Sequence, residues 1–273
     1  MEPITLEEVP VKIWCISDLH SELSSLHKAL KIIRGFSERV KSYPTCRKIL
    51  FIPGDFGNPR SETYSQCLQL LASSFDHIVG VAGNHEYYRV VRDKVTIDHI
   101  DEYLHHLYQR NNSTFLQCEE TYLFNTYKVI GATLWSDIDS QTYASMNDGV
   151  YIFKDIQEYQ HLHKHHREYL EGAVGDSKSL VITHHLPTFK AIHPCYRCLK
   201  CRQESLECSH DFNTGYASNL DHLVAKTSGW FCGHTHESFP TPGVYLNPYG
   251  YPGESKTTTW LNTPIWSSNK LIN

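Results

Sequence analysis

The chain has 273 residues, of which 40% are hydrophobic and 20% charged, and its 25 basic and 30 acidic residues give a formal net charge of -5. This composition supports a substantial core, excludes a disordered, collagen-like or coiled-coil protein, and lacks the basic excess of a nonspecific nucleic-acid binder. No apolar run approaches the roughly 18 residues of a membrane-spanning helix, and the acidic N-terminal segment lacks signal-peptide order, so we expect a cytoplasmic protein without membrane contact.

Apolar segments rich in β-branched residues alternate with helix-like segments. Strands are predicted at 11–17, 48–54, 77–83, 128–134, 179–183, 229–232 and 244–247. Helices are predicted at about 22–35, 63–74, 96–110, 156–170 and 216–225. This alternation predicts an α/β protein with layered sheets. Within the helix at 156–170, the histidines of the run 161–166 are predicted to lie on a solvated polar face.

The sequence contains no repeat and no Gly/Ser linker, so we predict a single domain over 1–273. Residues 186–214 mix Pro, Cys, Arg and His without periodicity and are predicted to form an insertion, the lid, over the main body. Residues 249–273, rich in Pro, Gly, Thr and Ser, are predicted to form a surface strap outside the core.

Ligand-type side chains follow five predicted strands at the point where each strand ends. Because ligands bind at the carboxyl ends of strands in α/β sheets, these clusters are expected to converge. Any one of them alone is more typical of a turn or a helix N-cap, but five in the same position favour a site. Carboxylate, carboxamide and imidazole groups suit Mn, Fe or Zn, and the number of ligands suggests two ions. The clusters are Asp18-Leu19-His20, Gly54-Asp55, Gly83-Asn84-His85-Glu86, His184-His185 and His234-Thr235-His236.

This series resembles the signature blocks of the calcineurin-like metallophosphoesterases, and one C-terminal block (247–254) is similar to an uncharacterised branch of that family. The resemblance implies a four-layer fold in which two central mixed sheets lie between helices, with a dinuclear metal site at their edge. It implies two metal ions, divalent or of mixed valence. One ion would be held by Asp18, His20, Asp55 and His236, and the other by Asp55, Asn84, His184 and His234. Asp55 would bridge the two ions.

The resemblance also implies the residues that act on the substrate. His85 would be the catalytic imidazole, and Asn84 and His85 would contact the phosphoryl group. His184 is preferred over His185 because the matching histidine comes first in the family's block. The sequence departs from the family at Asn58, where many relatives carry a second Asp, and this leaves the partner of His85 open.

The function expected from these residues is metal-dependent hydrolysis of a small phosphodiester or phosphomonoester by metal-activated water. The family includes both phosphodiesterases and phosphatases, and a lid could close over a compact substrate. The alternative is a non-catalytic metal-binding interaction scaffold that has kept the fold. Protein partners and oligomeric state are not indicated by the sequence.

Nine cysteines form an odd set, and four of them crowd into 14 residues of the lid. Their short spacing resembles that of a zinc knuckle, so the lid could hold an additional structural zinc. The alternative is a group of reduced surface cysteines. The four are Cys195, Cys198, Cys201 and Cys208, with His193 and His210 beside them.

Overall fold

The computed structural model describes residues 9–43, 46–175, 179–254, 261 and 263–268. Most of the acidic N-terminal segment and about half of the predicted strap lie outside these ranges. The strands are β1 Val11–Cys15, β2 Arg47–Pro53, β3 His77–Val81, β4 Thr114–Phe115, β5 Glu119–Leu123, β6 Tyr127–Ala132, β7 Leu180–Thr183, β8 Gly229–Cys232, β9 Val244–Leu246 and β10 Trp266–Ser267. The helices are α1 Leu26–Lys41, α2 Glu62–Ala72, α3 Val90–Asp93, α4 Ile97–Arg110, α5 Ser140–Ser145, α6 Asp148–Tyr151, α7 Ile156–Ala173, α8 Leu199–Gln203 and α9 Asp221–Val224.

The strands form two mixed five-stranded sheets, in the orders β10-β1-β2-β3-β4 and β5-β6-β7-β8-β9. All neighbours are parallel except β10 beside β1 and β5 beside β6. Alternate residues of each strand point to opposite faces. In β1 and β2, Ile13 and Phe51 enter the core between the sheets, whereas Trp14 and Leu50 pack under the helices. The predicted four-layer architecture is confirmed.

Helix α1 differs at both ends from the helix predicted at 22–35. It begins after Ser25, whose side chain accepts a hydrogen bond from the amide of Lys28, and it continues through Gly35 to Lys41. Ile33, Phe36 and Val40 extend its buried stripe past the glycine. Burial of these side chains outweighs the cost of about 1 kcal/mol for a glycine inside a helix.

The helix predicted at 216–225 is largely wrong, since only Asp221–Val224 is helical. The preceding residues pair with the chain that follows β7: the amide of Leu186 donates to the carbonyl of Tyr216, and the amide of Ser218 donates to the carbonyl of Leu186. Backbone groups used in this bridge are not available for helical hydrogen bonds.

The prediction of a surface strap at 249–273 is wrong at Trp266–Ser267, which form strand β10. Trp266 is 3% exposed and packs in the core between the sheets, while β10 pairs with β1. The indole nitrogen of Trp266 donates to the carbonyl of Ser228. Ile265 and Trp266 stand between Pro264 and two serines, which is too short an apolar pattern to indicate a strand.

The histidine run of α7 is only partly solvated, because His163 and His166 are buried. Nδ1 of His166 accepts a hydrogen bond from the amide of Leu134, and Nδ1 of His163 donates to the carbonyl of the same residue, both at 3.1 Å. Leu134 and the following Trp135 have φ angles of 74° and 54°, which are unusual for bulky side chains. The two histidines therefore hold a strained backbone segment in place.

Burial of His166 predicts a pH-dependent stability. Burial and, to a smaller extent, His165 and His163 lower the pKa of His166 from 6.5 to about 3. The unfolded chain then binds one more proton than the folded chain between these values, so stability falls as the pH drops below 6.5, by about 1.4 kcal/mol per pH unit for one proton. His166→Asn retains an acceptor for the amide and removes the titration. Urea unfolding between pH 7 and pH 4 should show a shallower dependence for this variant.

The exposed His161 of the same helix gives the matched control, since His161→Asn should keep the wild-type dependence on pH. An equal slope in His166→Asn and wild type would contradict this origin of acid sensitivity.

None of the helices in the described part of the chain combines the length and hydropathy that a bilayer crossing requires.

Candidate metal centre

The five ligand-type clusters follow β1, β2, β3, β7 and β8, and their side chains meet at one edge of the two sheets. Asp18, His20 and His236 form one group of potential metal ligands, and Asp55, His184 and His234 form another. Five of these six have left-handed backbone conformations, with φ of 54° at Asp18, 46° at His20, 50° at Asp55, 71° at His234 and 55° at His236. Such strain in non-glycine residues is typical of functional sites, where the surrounding fold maintains it.

The first group has two imidazoles directed at each other beside a carboxylate. Nε2 of His20 lies 2.9 Å from Nε2 of His236, and the latter lies 3.7 Å from Oδ1 of Asp18. Nδ1 of His236 donates to Oε2 of Glu254 at 2.9 Å, so its Nε2 carries a lone pair. Oδ1 of Asp18 also accepts the amide of His234 at 2.9 Å, which joins the ends of β1 and β8.

The second group is built around His184. Its Nδ1 donates to the carbonyl of Pro53 at 2.8 Å, so its Nε2 is the nitrogen directed into the site. That Nε2 lies 3.0 Å from Oδ1 of Asn84, 3.0 Å from Nδ1 of His234 and 3.4 Å from Oδ2 of Asp55. Atoms of three other strand ends thus converge on one imidazole nitrogen.

Asp55 lies between the two groups. Its Oδ2 is 3.8 Å from Nε2 of His20 on one side and 3.4 Å from Nε2 of His184 on the other. Its Oδ1 accepts the amide of His85 at 2.9 Å, which fixes the orientation of the carboxylate. A single side chain therefore faces both sets of donors.

Two glycines allow the strand ends to approach so closely. A Cβ atom at Gly83 would lie 2.2 Å from Oδ1 of Asp55. A Cβ atom at Gly54, where φ is 76°, would lie 2.4 Å from the amide nitrogen of Gly83 and 2.8 Å from Nδ1 of His184. These contacts are far inside van der Waals distance, so a side chain at either position would displace the site.

Glu86 joins the loops that follow β2 and β3. The buried carboxylate accepts four backbone amides, those of Asp55, Phe56, Gly57 and Gly83, at 2.6 to 3.1 Å. Burial and the Asp55 carboxylate raise the pKa of Glu86 to about 7, although the hydrogen bonds from the amides of Gly83 and Gly57 oppose this shift. Glu86 belongs to the cluster that follows the third predicted strand, but the sequence alone indicates no role for it. In the structure it holds the backbone of Asp55 in position.

Asn84 is oriented by Asp148 and Tyr88. Its Nδ2 donates to Oδ1 of Asp148 and to the hydroxyl of Tyr88, each at 2.9 Å, so Oδ1 of Asn84 must point toward His184. Asp148 is 1% exposed, and burial raises the pKa of its carboxyl. Sequence reasoning missed Asp148, which stands at the start of a helix of four residues and follows no strand.

His85 lies beside the two groups and has a carboxylate partner. Its Nδ1 is 2.8 Å from Oε1 of Glu22, and its ring stacks on Tyr88 with the centroids 4.1 Å apart. Its Nε2 faces the hydroxyl of Tyr251 at 3.2 Å. Asn58, which replaces the second Asp of many relatives, instead accepts the amide of Arg60. Glu22 is therefore the acid that orients His85 in this chain.

His185 occupies a different environment from His184. Its ring packs 4.2 Å from the ring of His234, measured between centroids, and 5.5 Å from that of Trp135. Its Nδ1 lies 3.4 Å from the carbonyl of Thr133, away from Asp55. Burial, together with His234 and His184, places the pKa of His185 well below its ordinary value. His184 therefore remains the ligand that we propose, with His185 packed behind it.

The electrostatics of the site favour positive charge at its centre. Burial opposes protonation of His184, but the Asp55 carboxylate outweighs it and raises the pKa of His184 to about 9. Burial would raise the pKa of Asp55, yet His184 and His85 hold it well below its ordinary value. Burial and His184 lower the pKa of His234, which keeps that imidazole neutral and able to act as a ligand.

The donor set fits metal ions because nitrogen and oxygen ligand atoms from separate strand ends are packed together. Nε2 of His20 lies 2.9 Å from Nε2 of His236, and Nε2 of His184 lies 3.0 Å from Oδ1 of Asn84. Oδ2 of Asp18 is buried and has no hydrogen-bond partner among the described residues. A cation held among these atoms would be coordinated by side chains from several strand ends. Oxygen and imidazole nitrogen donors suit Mn, Fe or Zn equally well.

A cavity of about 600 Å³ opens onto the site. Asp55, Asn84, His85, His234 and His236 form its floor. Its walls are rich in aromatic rings, and no Lys or Arg stands among the described residues that line it. The wall aromatics are Tyr88, Tyr196, Phe212, Tyr216 and Tyr251.

Three comparisons relate this chain to known proteins. A family model described as calcineurin-like phosphoesterase matches residues 11–238. An uncharacterised protein of Acanthamoeba polyphaga mimivirus is 26% identical over 266 residues, covering 88% of this chain and 91% of that protein. Among solved structures, the phosphopantetheinyl hydrolase of Mycobacterium tuberculosis matches 89% of this chain and 91% of its own with a TM-score of 0.58. Its sequence identity is 17%, so the likeness is one of fold.

Proposed function

The chain belongs to the calcineurin-like phosphoesterase family, and on this premise we propose that it hydrolyses a small phosphoester with two metal ions that share Asp55. One ion would be held by Asp18, His20, Asp55 and His236 and the other by Asp55, Asn84, His184 and His234. The observation that carries the proposal is the position of Asp55 Oδ2, within 4 Å of an imidazole nitrogen from each group. Bound cations in such a site neutralise phosphoryl oxygens and activate a water nucleophile.

His85 would handle the proton in this reaction. Nδ1 of His85 donates to Glu22, so that nitrogen is not available to the substrate. A proton transferred to the substrate would come from Nε2, which faces the cavity and Tyr251. Burial lowers and the carboxylates of Asp55 and Glu22 raise the pKa of His85, with a net increase that favours the protonated ring. A protonated imidazole at this place can stabilise a phosphoryl oxygen or protonate the leaving group.

The cavity supports a substrate of low charge that has an apolar or aromatic organic group. Without Lys or Arg in the described lining, the metal centre and His85 are the groups that can neutralise a phosphate, which suits one phosphoryl group rather than a polyphosphate. The rings of Tyr216 and Tyr251 can pack against a flat or apolar group. A concave site of this kind also suits a small molecule better than a folded phosphoprotein.

A substrate panel tests the proposal. Protein that has been stripped of metal and reconstituted with Mn, Fe or Zn should hydrolyse para-nitrophenyl phosphate, its bis ester or a cyclic nucleotide, and stripped protein should not. The preferred substrate would separate monoesterase from diesterase activity. Full occupancy by two ions without turnover of any substrate would contradict hydrolysis and favour the non-catalytic scaffold.

Glu22 provides a test of how His85 is positioned. Glu22→Ala should lower kcat by about 10-fold or more, since His85 loses the acceptor that fixes its ring, while KM changes little. Glu22→Gln retains an acceptor oxygen and should recover most of the activity. Steady-state kinetics and metal content together distinguish this role from loss of the neighbouring metal ion.

Asn58→Asp is the matched control for Glu22, because it restores the residue found in many relatives at a position whose side chain accepts the amide of Arg60 in this chain. It should leave kcat near the wild-type value. An unchanged kcat in Glu22→Ala would contradict the positioning role.

A further inference from the structure

The distal part of the lid has almost no apolar core. Between His193 and Thr214, the buried apolar side chains among the described residues are those of Cys201 and Cys208, which are 4% and 0% exposed. Large apolar side chains in the same segment are exposed instead, including Leu199 at 67%. A segment of this size that lacks a core needs a cross-link to keep one conformation.

Four potential metal ligands meet at the centre of this segment. Nε2 of His210 lies 3.8 Å from Sγ of Cys198, 3.2 Å from Sγ of Cys201 and 4.0 Å from Sγ of Cys208. All four ligand atoms lie within 4.8 Å of one another. In a tetrahedral zinc site the bond lengths require a nitrogen-to-sulfur separation of about 3.6 Å, which is the middle of the observed range.

The backbone stabilises the thiolate forms that a metal needs. The amide of Cys198 donates to Sγ of Cys208 at 3.5 Å, and the amide of Cys201 donates to Sγ of Cys198 at 3.4 Å. Hydrogen bonds to ligand atoms of this kind are typical of metal sites.

Cys195 does not belong to this group. Its Sγ lies 2.8 Å from Nδ1 of His193, and it is exposed. The sequence spacing suggests Cys195, Cys198, Cys201 and Cys208 as the four ligands. In the structure the fourth member of the group is His210, because Cys195 lies in a separate 3-10 turn, Pro194–Tyr196, before the helix α8 that carries Cys201.

We propose that Cys198, Cys201, Cys208 and His210 bind one structural Zn²⁺ that folds the lid. Three thiols would release their protons, so that three thiolates and a neutral imidazole complete a closed tetrahedral site with no position left for substrate. Thiolates select zinc over manganese, in contrast to the oxygen and nitrogen donors of the catalytic centre.

The zinc site would also shape the substrate cavity. Asn213, whose side chain is hydrogen-bonded to Cys208, donates to the carbonyl of Tyr196 at 3.2 Å. Tyr196, Phe212 and Asn213 all line the cavity above the metal centre. This part of the inference rests on the proposed function, because it treats the cavity as the substrate site.

Cobalt substitution of the full chain tests the zinc site separately from catalysis. Cysteine thiolates bound to Co²⁺ give a near-ultraviolet charge-transfer absorption that the carboxylate and imidazole ligands of the other site cannot give. Wild type loaded with Co²⁺ should show this band, and one equivalent of Zn²⁺ per chain should abolish it. Cys201→Ser should lack the band, whereas the matched control Cys195→Ser should retain it at full strength.

A second measurement covers the case in which Cys201→Ser does not fold. Titration of wild-type thiols with a mercurial reagent should release one zinc per chain, while metal held by the carboxylates stays bound. Absence of the cobalt band in folded wild type, or an equal loss in Cys195→Ser, would overturn the ligand set. Phosphoester hydrolysis is measured in the same samples, so a failed zinc site and a failed hydrolase would give different results.

Discussion

Replacement of Asp55 by alanine is expected to reduce phosphoester hydrolysis by about 10³-fold or more and to remove metal from both positions. The carboxylate faces His20 and His184 at once, so its loss leaves two incomplete donor groups instead of one. The magnitude follows from loss of the charge that the centre presents to the phosphoryl group. Asp55→Asn keeps an acceptor for the amide of His85 and should also lose metal, because an amide is a weaker ligand.

Metal content by elemental analysis, measured beside kcat/KM, distinguishes the bridge from an ordinary ligand. The exposed Asp137, which follows β6 in the chain, provides the matched control, and Asp137→Ala should keep both metal and activity. Retention of one full equivalent of metal in Asp55→Asn would show that Asp55 serves one ion, and retention of two would remove it from the ligand set.

His85→Ala is expected to show the opposite separation, with activity lost and metal kept. General acid catalysis by a positioned imidazole contributes about 10² to 10⁴-fold, so kcat should fall by that factor. His85 contacts Glu22 and Tyr251 through its two ring nitrogens, and its amide rather than its ring binds Asp55. Alanine therefore preserves the hydrogen bond that orients the bridging carboxylate.

The measurement is a comparison of kcat with metal content in wild type and His85→Ala. A substrate whose leaving group needs no proton, such as a para-nitrophenyl ester, should show a smaller loss than an alkyl ester if His85 protonates the leaving group. Equal losses of metal and activity would contradict the assigned role.

The sequence indicated which strand-end side chains would lie close together because strand ends are defined by local pattern. Asp18, Asp55 and His184 each follow a buried apolar strand directly, and the topology then brings parallel strand ends to one edge. Side chains that carry no such local signal were missed. Glu22 lay in a predicted helix, although Ser25 marks the true helix start, and Asp148 follows no strand at all.

Long-range packing explains the remaining differences. Tyr251 contacts His85, which lies more than 160 residues earlier in the sequence, and Glu254 contacts His236, which lies about 20 residues earlier. Local spacing rules do not predict contacts over such separations. In the lid, the spacing indicated a cluster of cysteines. It could not show that His210 rather than Cys195 lies close to the other three, because this depends on how the turn Pro194–Tyr196 is placed before α8. The single-domain organisation and the cytoplasmic location remain predictions.

The most direct test of the central proposal is the anomalous scattering of a crystal soaked in Mn²⁺. Two peaks about 3.5 to 4 Å apart, with Asp55 between them, are expected. His20 and His236 should contact one peak and His184 and His234 the other. A single peak, or two peaks with the Asp55 carboxylate directed away from both, would contradict the shared-carboxylate centre on which the proposed hydrolysis depends.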